Sequence, residues 1–114
     1  MALKKEIRKD GFAIKLTVEE NGQAIGRVYL YLIFNELHAE PYGLMEDLYV
    51  EQAARGRGVG TQLIKSATEE ARARGCYKLI ATSRQSRREV HNLYEKNGLK
   101  NYGVEFRMDF QKSL

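Results

Sequence analysis

Between about Ala24 and Phe34 the chain carries apolar side chains on both parities: Val28, Leu30, Leu32 and Phe34 on one, Tyr29, Tyr31 and Ile33 on the other. A strand written this way belongs inside a sheet covered on both faces. The run before it is different. Ile14, Leu16 and Val18 alternate with Lys15, Thr17 and Glu19, the pattern of a half-buried strand, and Asn21-Gly22 supplies the positive φ angles of a tight hairpin turn. A third strand is expected from about Gly43 to Val50, after a connection that holds the single proline, Pro41.

The period then becomes helical. Leu63, Ile64, Ala67 and Ala71 recur at helix spacing, with Gly75 as the carboxy-terminal cap. Tyr77 to Thr82 returns to strand. Ser86 and Glu89 form a capping-box pattern that opens a second helix, with Val90, Leu93 and Tyr94 as its apolar stripe and Gly98 past its end. Tyr102, Val104, Phe106, Met108 and Phe110 alternate with polar residues and glycine and predict a last strand. The order is β-β-β-α-β-α-β, a mixed α/β arrangement, and 114 residues suit one domain spanning 1–114.

Composition narrows the class of function only broadly. With 43% hydrophobic and 30% charged residues the chain reads as an ordinary soluble globular protein. The lone Cys76 forms no internal disulfide and fits a reducing, cytoplasmic setting. Neither His38 nor His91 has a partner at metal-ligand spacing, so no metal is expected. The amino terminus has no apolar run behind its charges, and the longest apolar stretch, Val28 to Phe34, falls far short of the ~20 residues that span a bilayer. A net charge of +4 suits an anionic partner without naming it.

The most informative segment lies between the third strand and the first helix: Arg55-Gly56-Arg57-Gly58-Val59-Gly60-Thr61. Helix amino termini leave backbone N–H groups unpaired and carry partial positive charge. No Ser, Asp or Asn cap precedes this helix, three glycines clear the approach, and two arginines add positive charge. That combination is an anion site, most naturally for phosphate. The spacing is neither the dinucleotide fingerprint nor a P-loop. A flexible turn with solvated arginines is the plainer alternative.

Arg55-x-x-Gly58-x-Gly60, preceded by Glu46-Asp47-Leu48-Tyr49-Val50 and followed by Leu63-Ile64, resembles the signature of the GCN5-related N-acetyltransferases. Leu93-Tyr94-Glu95-Lys96-Asn97-Gly98-Leu99 is similar to that family's second-helix motif. The resemblance covers about Leu44 to Phe110. It implies an acyl-CoA N-acyltransferase fold, with a mixed, mostly antiparallel sheet flanked by two helices. It further implies acetyl-CoA as co-substrate and a primary amine as acceptor, attacking directly in a ternary complex.

Site residues follow from the same resemblance. Leu48, Tyr49 and Val50 match the splayed strand whose backbone holds the pantetheine arm and the acetyl carbonyl. Arg55, Gly56, Arg57, Gly58, Val59, Gly60 and Thr61 match the pyrophosphate loop. Tyr94 matches the tyrosine that protonates the departing thiolate. Glu46 matches a carboxylate that helps deprotonate the amine, a surface carboxylate at a strand bulge being the alternative. Two departures stand out. Arg87 replaces the usual asparagine seven residues before the tyrosine and is expected to reach a phosphate instead. The family's amino-terminal pair of helices has no room before the first alternating run.

Three functions are therefore weighed: an acetyltransferase, a non-catalytic acyl-CoA sensor of the same fold, and a nucleic-acid-binding domain using Arg55, Arg57, Arg84, Arg87 and Arg88. The last lacks the interleaved exposed aromatics that stacking surfaces use. A homodimer is expected, because only two helices are available to cover a sheet with a two-faced apolar strand.

Overall fold

The computed structural model describes residues 1–111. Strands β1 (Phe12–Glu20) and β2 (Gln23–Ile33) form the expected hairpin, with Phe12 opposite Leu32 and Glu20 opposite Gln23. Asn21 and Gly22 turn it at φ 52° and 77°, the left-handed pair that matches the twist of the strands. β3 (Tyr42–Val50) runs antiparallel to β2, and β4 (Leu79–Ala81) joins the far edge of β3 in parallel. The sheet order is β1-β2-β3-β4.

Helix α1 (Val59–Ala73) makes the crossover from β3 to β4, and α2 (Arg88–Lys96) follows β4. The stripe Val59, Leu63, Ile64, Ala67 and Ala71 is buried, as its spacing predicts. It packs on Val28 and Met45 of the sheet. The approach is close: a Cβ on Gly26 would stand 2.8 Å from Val59 Cγ1, so only glycine fits beneath the first turn of the helix. Both helices end in the same way. Gly75 and Gly98 take positive φ, and the following amides, Cys76 and Leu99, bond back to the carbonyls of Ala71 and Tyr94. This is the two-bond glycine cap the sequence predicts at both ends.

Three expectations fail. β2 is covered on one face only. Val28, Leu30 and Leu32 are at most 2% exposed, whereas Tyr31 on the other parity is 39% exposed. Leu93 and Tyr94 of α2 pack against the same core cluster as α1, leaving the tyrosine face to the solvent. Tyr29 and Tyr31 stack there, with ring centroids 6.1 Å apart. Amphipathic rings tolerate such a face, which aliphatic side chains would not.

The capping box also fails. The residue capping α2 is Arg87, without a side-chain bond, because the Arg87 amide closes a turn on the Arg84 carbonyl and starts the helix one residue later. His91 reinforces that turn with a ring nitrogen 2.8 Å from the same carbonyl. Finally, Tyr102–Phe110 forms no strand: it pairs with no strand of the sheet, and its apolar side chains stand exposed.

Candidate active site

The site begins with a defect in β3. Arg27 faces Tyr49, but Tyr29 faces Glu46, so β3 carries one residue more than β2 between these pairs. The bulge sits at Asp47, whose φ of 57° is unusual for a residue with a side chain. Arg27 holds it from across the sheet, with Nε and Nη2 donating to the two carboxylate oxygens at 2.9 and 3.2 Å. Those bonds keep the Asp47 carboxyl below the usual carboxylate range, against a smaller opposing effect of burial. Asp47 is thus anchored at the bulge by Arg27. The extra residue also switches the inward parity of the strand, from Gly43 and Met45 to Leu48 and Val50.

Among the described residues, β3 has no strand on its β4 side beyond the bulge, because the parallel pairing ends at Met45 opposite Ala81. The backbone of Glu46–Val50 therefore borders an open wedge. Leu48 and Val50 turn their side chains into the core, so backbone is what they offer to a ligand. Tyr49 points outward and receives Arg27 and Arg55 over its ring, at 4.9 and 5.9 Å from the centroid.

Tyr94 faces this region from α2. It packs on the core cluster, and burial pushes its phenol above the ordinary tyrosine value. The negative charge of Glu46 pushes it further, and the positive charge of Arg87 opposes. Glu46, Arg87 and Tyr94, separated along the chain, are thus within electrostatic reach of one another. The phenol stays protonated throughout the neutral range, which is the state a proton donor needs.

The glycine-rich turn lies at the amino end of α1. Gly56 and Gly58 have φ of 80° and 83°, and Gly58 caps the helix without any side-chain bond. The first helical bond runs from the Gln62 amide to the Gly58 carbonyl, so the amides of Val59, Gly60 and Thr61 have no helical partner. A Cβ added at Gly58 would meet nothing within 4 Å. Gly60 has a different reason: its Cβ would stand 3.3 Å from Leu93 Cδ2, where α2 closes on α1. These open amides fit a phosphate group.

The arginines of the turn are not free. Arg55 Nε donates to the Val50 carbonyl at 3.0 Å, tying the turn to the end of β3. Arg57 pairs with Glu20 of the β1–β2 hairpin, whose carboxyl it holds below its ordinary value. That pair is solvent-exposed and correspondingly weak, so Arg57 can exchange Glu20 for a phosphate. The Val59 side chain belongs to the core and contributes only its amide.

An open groove of about 780 Å³ completes the region on the bare tyrosine face. Phe12, Tyr31, Phe34, Leu44, Glu46 and Asp47 line it. Glu46 lines this groove, and its charge reaches Tyr94. Sequence reasoning missed the groove, and with it the two ion pairs Arg27–Asp47 and Arg57–Glu20. The parity switch between Met45 and Leu48 was the readable signal of the bulge.

Comparison with known proteins points the same way. The profile of the Acetyltransferase (GNAT) family matches residues 2–99. Aminoalkylphosphonate N-acetyltransferase of Salmonella typhimurium is 32% identical over 100 residues, covering 81% of this chain and 65% of the relative. Glucosamine 6-phosphate N-acetyltransferase 1 of Oryza sativa subsp. japonica is 38% identical over 68 residues, 60% of this chain and 39% of the relative. The chain thus spans under two thirds of the length of either relative. Among solved structures, a putative acetyltransferase from Agrobacterium tumefaciens superposes with a TM-score of 0.80 at 28% identity, over 85% of this chain and 68% of its own. The overall fold is therefore shared with solved acetyltransferases, and the chain belongs to the GNAT family of acetyltransferases.

Proposed function

We propose that the protein transfers an acetyl group from acetyl-CoA to a primary amine by direct attack in a ternary complex. The observation that carries this reading is the pairing of two ends of one wedge. At one end stand the unpartnered amides of α1, and at the other Tyr94 lies within reach of the Glu46 charge. In this reading the turn from Arg55 to Thr61 receives the pyrophosphate and the β3 backbone from Leu48 to Val50 aligns the thioester. Arg87 contributes charge for a phosphate.

An alkyl amine with a pKa near ~10.4 arrives mostly protonated at neutral pH. Glu46, directly or through water, takes that proton. The neutral nitrogen forms the new bond to the acetyl carbon while the carbon–sulfur bond breaks. A backbone N–H of Leu48–Val50 donates to the carbonyl oxygen, Tyr94 gives its phenolic proton to the departing sulfur, and the proton that the nitrogen sheds on becoming an amide passes through water to restore the phenol. The groove beside Glu46 admits the acceptor, a small-molecule amine or a protein amino group. We further infer a homodimer and a cytoplasmic setting; the latter rests on the single free Cys76, whose thiol burial pushes up and away from the reactive thiolate.

Thermal shift tests cofactor binding directly. Acetyl-CoA at ~100 times its dissociation constant stabilises the fold by ~2.7 kcal/mol. For a chain of this size that raises the melting temperature by on the order of 10 °C. An unchanged midpoint at millimolar acetyl-CoA would remove the assignment of the turn.

A further inference from the structure

The face of the sheet away from the helices carries an ordered row of side chains. Ala13 stands opposite Tyr31, and Tyr31 opposite Leu44, on three adjacent strands. Residues directly opposite point to the same face, so the three form an apolar floor about 10 Å across, two strand spacings. Glu46 lies two residues beyond Leu44 on β3 and therefore on the same face, roughly 7 Å along the strand. Tyr29, opposite Glu46, stacks on Tyr31 with ring centroids 6.1 Å apart and steadies its ring. Ala13, Tyr31, Leu44 and Glu46 all line the open groove.

The charges along this groove are matched in pairs, with one exception. Asp10 accepts from Arg8 Nη2 at 2.8 Å, and Asp47 accepts from Arg27 Nε at 2.9 Å. Arg8, the cation that lines the groove, also faces Glu6 at 3.6 Å. Lys15 sits over the Tyr29 ring at 5.8 Å from its centroid, outside the lining. Among the described residues Glu46 takes part in no ion pair. The groove thus presents one uncompensated carboxylate at the end of an apolar floor with an aromatic ring at its centre.

We propose that the acceptor is a primary arylalkylamine with one positive charge and no anionic group, its ammonium paired with Glu46 and its ring laid on Tyr31 between Ala13 and Leu44. Calling this ligand an acceptor rests on the transfer reading given above; its selectivity comes from the groove. A phosphate or carboxylate on the amine would meet Arg8 already engaged and would be repelled by Glu46. A second ammonium, as in a polyamine, would find Asp10 and Asp47 already paired. A flat ring stacks on Tyr31 beyond the gain from its buried area, which a bare alkyl chain does not. The separation of Glu46 from the floor asks for a short alkyl spacer between nitrogen and ring. In the transfer the amine nitrogen takes the acetyl group, and CoA leaves as the thiol.

Isothermal titration of amines into protein saturated with CoA reads acceptor binding without turnover. Phenethylamine is expected to bind at least ~10-fold more tightly than butylamine, spermidine or aminoethylphosphonate. Tyr31→Ala should weaken phenethylamine by ~10-fold and butylamine little, with the far-UV spectrum and CoA affinity showing that the fold is kept. Leu44→Arg should reverse the order in favour of aminoethylphosphonate, because it supplies the missing cation. Equal affinity for all four amines overturns the proposal, as does unaltered phenethylamine binding in Tyr31→Ala. Thiol release from acetyl-CoA with the same amines separates the two readings. Turnover of aminoethylphosphonate or spermidine at or above the rate of phenethylamine overturns the acceptor class and leaves the transfer reading intact. Release with no amine, while acetyl-CoA still binds, overturns the transfer reading and the acceptor role with it.

Discussion

Replacing Tyr94 by phenylalanine should lower turnover by ~10²-fold or more and leave acetyl-CoA affinity nearly unchanged. The ring keeps its packing against the core cluster, so the fold is spared and only the proton is removed. The pH profile gives this prediction its sign. Burial and Glu46 raise the Tyr94 pKa above its model-compound value of 10.0, so the phenol is protonated at neutral pH and is lost as a donor only in strongly alkaline solution. The variant should therefore run at a deficit that higher pH does not repair. Glu46→Gln should behave differently. Its deficit should be deepest near neutrality and shrink as the pH rises, because more of the acceptor amine then arrives without its proton. Full activity in Tyr94→Phe would mean that solvent protonates the sulfur. A flat deficit in Glu46→Gln would assign that carboxylate to positioning the acceptor.

The second large effect is expected at Gly58. Gly58→Glu should weaken acetyl-CoA binding by at least ~10²-fold while the protein stays folded, because the carboxylate would repel the phosphates at the unpartnered amides of α1. Two structural facts shape the experiment. The added Cβ meets nothing within 4 Å, so no clash disturbs the core. The φ of 83° does impose strain on any L side chain, on the order of 1–2 kcal/mol. Gly58→Ala carries the same strain without the charge and is the matched control. Isothermal titration of the two variants separates the effects: loss in the glutamate variant alone identifies charge at the phosphate site. Equal affinity in both, near wild type, would place the pyrophosphate elsewhere.

Local chemistry made much of this architecture readable. The hairpin followed from Asn21-Gly22, and both helix ends from glycines that only a left-handed residue could occupy so cheaply. The buried stripe of α1 followed from its period. What stayed hidden depends on pairs far apart in the chain. Arg27 and Asp47 meet because β2 pairs with β3, and Glu20 meets Arg57 because the end of the β1–β2 hairpin lies beside the glycine-rich turn. The apolar second face of β2 signalled a need for cover but not whether a helix, a partner or solvent would meet it. The alternation of Tyr102–Phe110 has the same ambiguity: a period of two specifies a face, never the edge that accepts it. At the candidate site, the turn from Arg55 to Thr61 was legible because its glycines and missing cap are local. Proximity of Glu46 to Tyr94 needed the family resemblance, since no periodicity brings those residues together.

The most direct test is release of free CoA thiol from acetyl-CoA in the presence of a panel of primary amines, with each acceptor's acetylated product followed in parallel. The account predicts thiol release that saturates with at least one amine, matches product one for one, and falls by ~10²-fold or more in Tyr94→Phe. Tight acetyl-CoA binding with no acceptor-dependent thiol release from any amine would contradict it, and would make the protein a sensor of acyl-CoA.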